Sequence, residues 1–101
     1  TNAKVDLTST SVTTLYTCAS ATTAIVKSII VSEDSGNADT ITVTLTNGSD
    51  VFSLFKTKSI SANGTTELLS APLVLQATEI LKVTAATADR LHVVASILEI
   101  T

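Results

Sequence analysis

Residues 40–46 read T-I-T-V-T-L-T, with apolar Ile41, Val43 and Leu45 between threonines at every even position. Successive side chains of a strand point to opposite faces, so this alternation specifies a strand with one dry and one wet face. A helix would scatter the same residues around its circumference. Few other folding classes tolerate such a stretch. Val, Ile and Thr account for 37 of the 101 residues, and β-branched side chains lose rotamer freedom in helices but fit a pleated surface. An all-β chain is the expectation, and its length suits one domain with one modest core.

Turn-forming residues divide the chain. Residues 1–10 are polar with isolated anchors at Val5 and Leu7, which predicts an extended N-terminal arm or a loosely held edge strand. Residues 11–101 form the remaining domain, with strands expected over 11–17, 24–31, 40–46, 51–58, 65–69, 73–75, 80–85 and 91–100. Residues 91–98 also carry apolar residues at helical spacing (Leu91, Val94, Ala95, Leu98), but Val93, Val94, Ile97 and Ile100 favour a strand. Seven to eight short strands with turns between them predict a single antiparallel β-sandwich, jelly-roll-like.

Matching apolar faces sets the expected registers. A two-residue Asn47-Gly48 turn would oppose Leu45 to Asp50; a 47–50 loop pairs Leu45 with Phe52 and Val43 with Leu54. The same arithmetic pairs Ile30 with Ile41 and Val26 with Leu45, a meander whose core face holds Val26, Ile30, Ile41, Val43, Leu45, Phe52 and Leu54. The loop 86–90 aligns Leu81, Val83 and Ala85 with Ala95, Val93 and Leu91. Ile25, Ile29 and Phe55 then lie among threonines on an outer face that is greasy for one in water. Together with Val5 and Leu7 of the arm, they are the candidate interface residues.

Chemistry is hard to find. The net charge of −3 and six scattered basic residues predict no nucleic-acid partner. No run approaches a membrane span, and no leader segment is visible. Nucleophilic catalysis requires a base beside the nucleophile, and the single histidine, His92, falls within a strand as a structural or surface residue. Zinc requires three or four His or Cys ligands; the chain has one of each. No catalytic residue, cofactor or metal ligand is assigned. Cys18 reads as a buried thiol. Residues 32–39 (S-E-D-S-G-N-A-D) form an acidic loop whose oxygens could meet a cation, though not at EF-hand spacing. Asn47-Gly48-Ser49 and Asn63-Gly64-Thr65 match a glycosylation triplet but are turn chemistry in their own right. Sugar stacking has little to draw on, with Tyr16, Phe52 and Phe55 the only aromatics.

L-Y-T-C-A-S-A-T-T-A-I-V-K-S-I-I-V (15–31), T-T-E-L-L-S-A-P-L-V-L-Q-A-T-E-I-L-K-V-T-A (65–85) and H-V-V-A-S-I-L-E-I (92–100) resemble the small β-sandwich structural proteins of tailed-bacteriophage virions. Ala77-Thr78-Glu79 stands where that group often has Ala-Gly-Asp, and Ala19 where a proline often follows the cysteine. The resemblance implies a virion component without enzymatic activity, assembled in the host cytoplasm. Its partners would be the major capsid protein or other virion proteins, with self-association into a trimer or similar ring. A capsid decoration or cement protein is the leading expectation. The alternatives are a tail, neck or fibre-base accessory protein, or a receptor- or sugar-binding module.

Overall fold

The computed structural model describes residues 1–101. Nine strands make two antiparallel sheets: β1 (Asn2–Asp6), β2 (Thr13–Thr17), β3 (Thr23–Glu33), β4 (Asp39–Asn47), β5 (Asp50–Ile60), β6 (Thr65–Glu67), β7 (Leu73–Leu75), β8 (Ile80–Ala85) and β9 (Leu91–Ile100). One sheet runs β1-β9-β3-β6, with β7 also on β3; the other runs β2-β8-β4-β5. The pairs β1:β9, β2:β8, β3:β6/β7 and β4:β5 are nested in the chain. Rolling that long hairpin brings β9 beside β3 and β8 beside β4, which is the jelly roll. The 91–100 segment is a strand throughout.

The 1–10 segment is not a free arm. All five residues of β1 pair with β9, the N-terminal ammonium donates to the Ile97 carbonyl at 2.9 Å, and Leu7 is sealed in the core at 1% exposure. Its own main chain is held by Leu91, whose carbonyl accepts the Leu7 N–H at 3.0 Å.

The expected meander β3-β4-β5 does not form, because β3 and β4 lie in opposite sheets, as do β8 and β9. The connections cross the sandwich. Leu81, Val83, Ala85, Leu91, Val93 and Ala95 all join the single 19-residue core, but they do so from two sheets rather than along one ladder.

Bulges decide which parity faces inward. Val26 opposes Ile97 and Ser28 opposes Ser96, so Lys27 is an extra residue on β3. An inserted residue reverses the alternation beyond it. Ala24 and Val26 face in before the bulge; Ile29 and Val31 face in after it, each 0% exposed. Ile29 is thus core, and Ile30, expected in the core, is 39% exposed.

The β4:β5 hairpin pairs Leu45 with Phe52, as face matching requires. The pairing continues to Asn47 and Asp50, so only Gly48 and Ser49 turn. Val43 opposes Phe55 and not Leu54, because Leu54 is bulged out of β5. Phe55 therefore lies on the inner side, half-buried against the core, while Phe52 near the hairpin tip is 55% exposed.

Residues 65–75 form one interrupted strand position. β6 pairs with Ile30–Ser32 and β7 with Ala24–Val26. In the gap, Glu67 Oε2 accepts the N–H of Ile29 at 2.8 Å and of Leu69 at 3.1 Å, replacing a missing main-chain acceptor.

Candidate interaction surface

The five-stranded sheet turns an apolar outer face to solvent. Ile25 stands directly between Val74 on β7 and Leu98 on β9. Four residues along β9, Val94 lies between Ile30 and Lys4. Ser28 and Ser96 separate the two rows, and Ile100 opposes Thr23 beyond the first. Val74 (53% exposed), Leu98 (46%), Ile100 (50%) and Val94 (41%) are open to water, with Ile25 half-buried among them. The alternating strand pattern gives β9 its inner row, Leu91, Val93, Ala95 and Ile97, and leaves even positions outside. Packing against the second sheet explains the inner row; nothing within the chain covers the outer one.

Of the five interface candidates read from sequence, only Ile25 lies on this face. Leu7 and Ile29 are buried in the core. Val5 opposes buried Val93 across β1:β9 and packs inward. Phe55 is turned in by the Leu54 bulge. Val74, Val94, Leu98 and Ile100, which are exposed on this face, are not among the candidates that the sequence offers. On β9 the even-position signal was present, but β-strand alternation alone does not say which parity the second sheet will cover.

A second apolar feature lies at the open side of the sandwich. Leu54 and Phe55 face Leu68, Leu69, Pro72 and Leu73 across a cleft of about 280 Å³.

Several of the polar side chains brace the fold. The buried Glu33 carboxylate accepts the N–H groups of Ser35 (2.7 Å), Gly36 (3.0 Å) and Asn63 (2.9 Å), together with the Ser35 hydroxyl. Burial alone would raise its pKa; the Ser35 hydroxyl and the three main-chain donors outweigh it and hold the group at about 2. This carboxylate staples the 34–38 loop to the β5–β6 turn and has no lone pair free for a cation. No group of three or more His, Cys, Asp or Glu side chains is placed to hold a metal ion.

Tyr16 donates its phenol proton to Glu99 Oε2 at 2.5 Å, joining β2 of one sheet to β9 of the other. Burial pushes the phenol pKa up, and the adjoining Glu99 adds to the shift. His92 places Nε2 3.2 Å from Asp6 Oδ1 and Nδ1 3.5 Å from Asp34 Oδ2, so each nitrogen faces a carboxylate. Cys18 is fully buried, with its thiol directed at the Thr22 carbonyl at 3.3 Å. The structure holds no helix long and apolar enough to cross a membrane.

No protein-family model, curated protein or solved structure matches the chain.

Proposed function

We propose that the chain is a non-enzymatic structural protein of a tailed-phage virion, of the capsid decoration or cement type. It acts by burying the outer face of its five-stranded sheet against a neighbouring virion protein. The observation that carries this reading is the pair of cross-strand apolar rows, Val74–Ile25–Leu98 and Ile30–Val94. Contiguous apolar surface that a chain leaves uncovered marks a contact with another surface. Four strand positions, β6 and β7 sharing one, at about 4.8 Å spacing and some ten residues at about 3.3 Å per residue give a face near 19 by 33 Å, the same order as the roughly 800 Å² that each partner contributes to a standard interface. The resemblance in residues 15–31, 65–85 and 92–100 supplies the virion context, and copies around a symmetry axis would let one such face serve a ring.

Val94→Asp with Leu98→Asp tests the reading. Both side chains are solvent-exposed, so the doubly substituted protein is expected to keep the wild-type β-sheet circular dichroism and cooperative unfolding. It should lose occupancy on the particle in cryo-electron microscopy, where the wild type appears at regular lattice positions. Full occupancy by the folded variant would refute the face assignment. Wild-type density confined to the neck or tail would keep the virion role and remove the capsid one. Absence from every particle would end the virion reading.

A further inference from the structure

Two Asn-Gly dipeptides stand in turns, and the turns constrain them differently. In Asn47-Gly48-Ser49-Asp50 the outer residues are the last pair of the β4:β5 ladder, and Gly48, at φ 62°, is the only left-handed residue. That is the geometry of a type II′ hairpin turn. Asn47 is exposed, the Gly48 N–H has no acceptor, and no atom lies within 4 Å of where a Gly48 Cβ would be. In the second turn Asn63 itself takes the left-handed conformation at φ 56°. Here the Gly64 N–H is bound to the Ser61 carbonyl at 2.9 Å, and the Asn63 N–H to Glu33 Oε1. The Asn63 side-chain nitrogen is packed over Gly36.

We propose that Asn47 is a site of spontaneous deamidation, and that Asn63, with the same dipeptide, is protected by its turn. The reaction needs the main-chain nitrogen of the following residue as nucleophile. Glycine lets that nitrogen approach because it has no Cβ. Hydroxide removes the Gly48 amide proton, and the nitrogen attacks Asn47 Cγ. The new N–Cγ bond forms as the Cγ–Nδ2 bond breaks, and Nδ2 leaves as ammonia with a proton from water. Water then opens the resulting cyclic imide at either carbonyl, giving aspartate or isoaspartate. The net change is one water consumed and one ammonia released, with no oxidation or reduction. At Gly64 the same nitrogen must first give up its bond to Ser61 and leave a turn held by Glu33.

The products alter the hairpin. Isoaspartate adds a methylene to the main chain of a two-residue turn whose length sets the register of β4 against β5. Either product puts a new carboxylate opposite Asp50, and like charges directly opposed across a ladder destabilise it.

The native protein, held at mildly alkaline pH and sampled over days, would be digested and mapped for the exchange of amide for acid at each site. Asn47 is expected to convert faster than Asn63 by on the order of tenfold, the factor that one main-chain hydrogen bond can contribute to a rate. The same incubation in urea should bring the two rates together, because both dipeptides are followed by a hydroxyl residue and only folding distinguishes them. Equal native rates, faster conversion at Asn63, or a ratio that survives unfolding would each overturn the proposal.

Discussion

Ile29 and Ile30 are adjacent, chemically identical and both in the longest strand of their sheet, yet the Lys27 bulge sends one to the core and leaves the other at the surface. Truncating each to alanine measures that bulge. Ile29 is 0% exposed. Removing three carbons there forfeits about 2.4 kcal/mol of transfer free energy, at about 0.8 kcal/mol per methylene. The cavity left between the sheets raises the cost to about 3–4 kcal/mol. Ile30 is 39% exposed; part of its surface is already wet and its removal encloses no void, so Ile30→Ala costs about 1 kcal/mol. Urea unfolding followed by far-ultraviolet circular dichroism is the assay. At an m value of about 1.5 kcal/mol/M, the midpoint falls by about 2 M for Ile29→Ala and by less than about 1 M for Ile30→Ala, with m unchanged. A larger loss for Ile30→Ala, or equal losses, would mean that the alternation runs unbroken through Lys27 and that the inner face of β3 has been assigned to the wrong residues.

Thr78 occupies the left-handed region at φ 70°, an unfavourable position for a β-branched residue. Its turn is closed by Glu79 N–H on the Gln76 carbonyl and by Gln76 N–H on Glu79 Oε1. Thr78→Gly relieves the strain and is expected to stabilise the fold by about 1 kcal/mol, raising Tm by roughly 4–8 °C for a domain of this size; an unchanged or lower Tm in calorimetry would contradict that. Glu33 titrates at about 2 in the fold against 4.5 ordinarily, so its contribution is fully present above pH 4.5 and is lost as the pH falls through 2. Glu33→Gln should therefore be less stable than the wild type near neutrality, with the difference shrinking between pH 4.5 and 2. A gap that stays constant over that range would show that the carboxylate charge is not what the loop amides require.

Much of the architecture is legible in local patterning. Ile41 and Val43, alternating with threonine, place the inner row of β4. The exchange of β-branched runs for Gly, Asn and Asp clusters marks the β3–β4, β4–β5 and β5–β6 turns. Leu45 opposite Phe52 follows from face matching alone, because a two-residue turn at Asn47-Gly48 would have set Leu45 against Asp50. The bounds of β7, β8 and β9 follow from the same signals. The two-fold period of a strand is a property of the backbone, and it survives whatever the strand packs against.

What depends on the tertiary structure is which strand lies beside which, and which parity faces in. Residues 30 and 41 match as a hairpin on paper, yet β3 and β4 belong to opposite sheets, because only the rolled pairing lets each sheet cover the inner face of the other. Bulges at Lys27 and Leu54 leave no mark in the hydrophobic pattern, since β3 and β5 are each apolar at both parities there. They turned Ile29 and Phe55 from candidate contacts into core-facing residues, and placed Ile30 on the surface. The candidate surface came into view the same way: Val74, Ile25 and Leu98 are distant in the chain and become one row only when β7 and β9 flank β3. Alternation along a strand is local physics and can be read from residues, whereas the covering of one face by a second sheet depends on contacts between segments far apart in sequence.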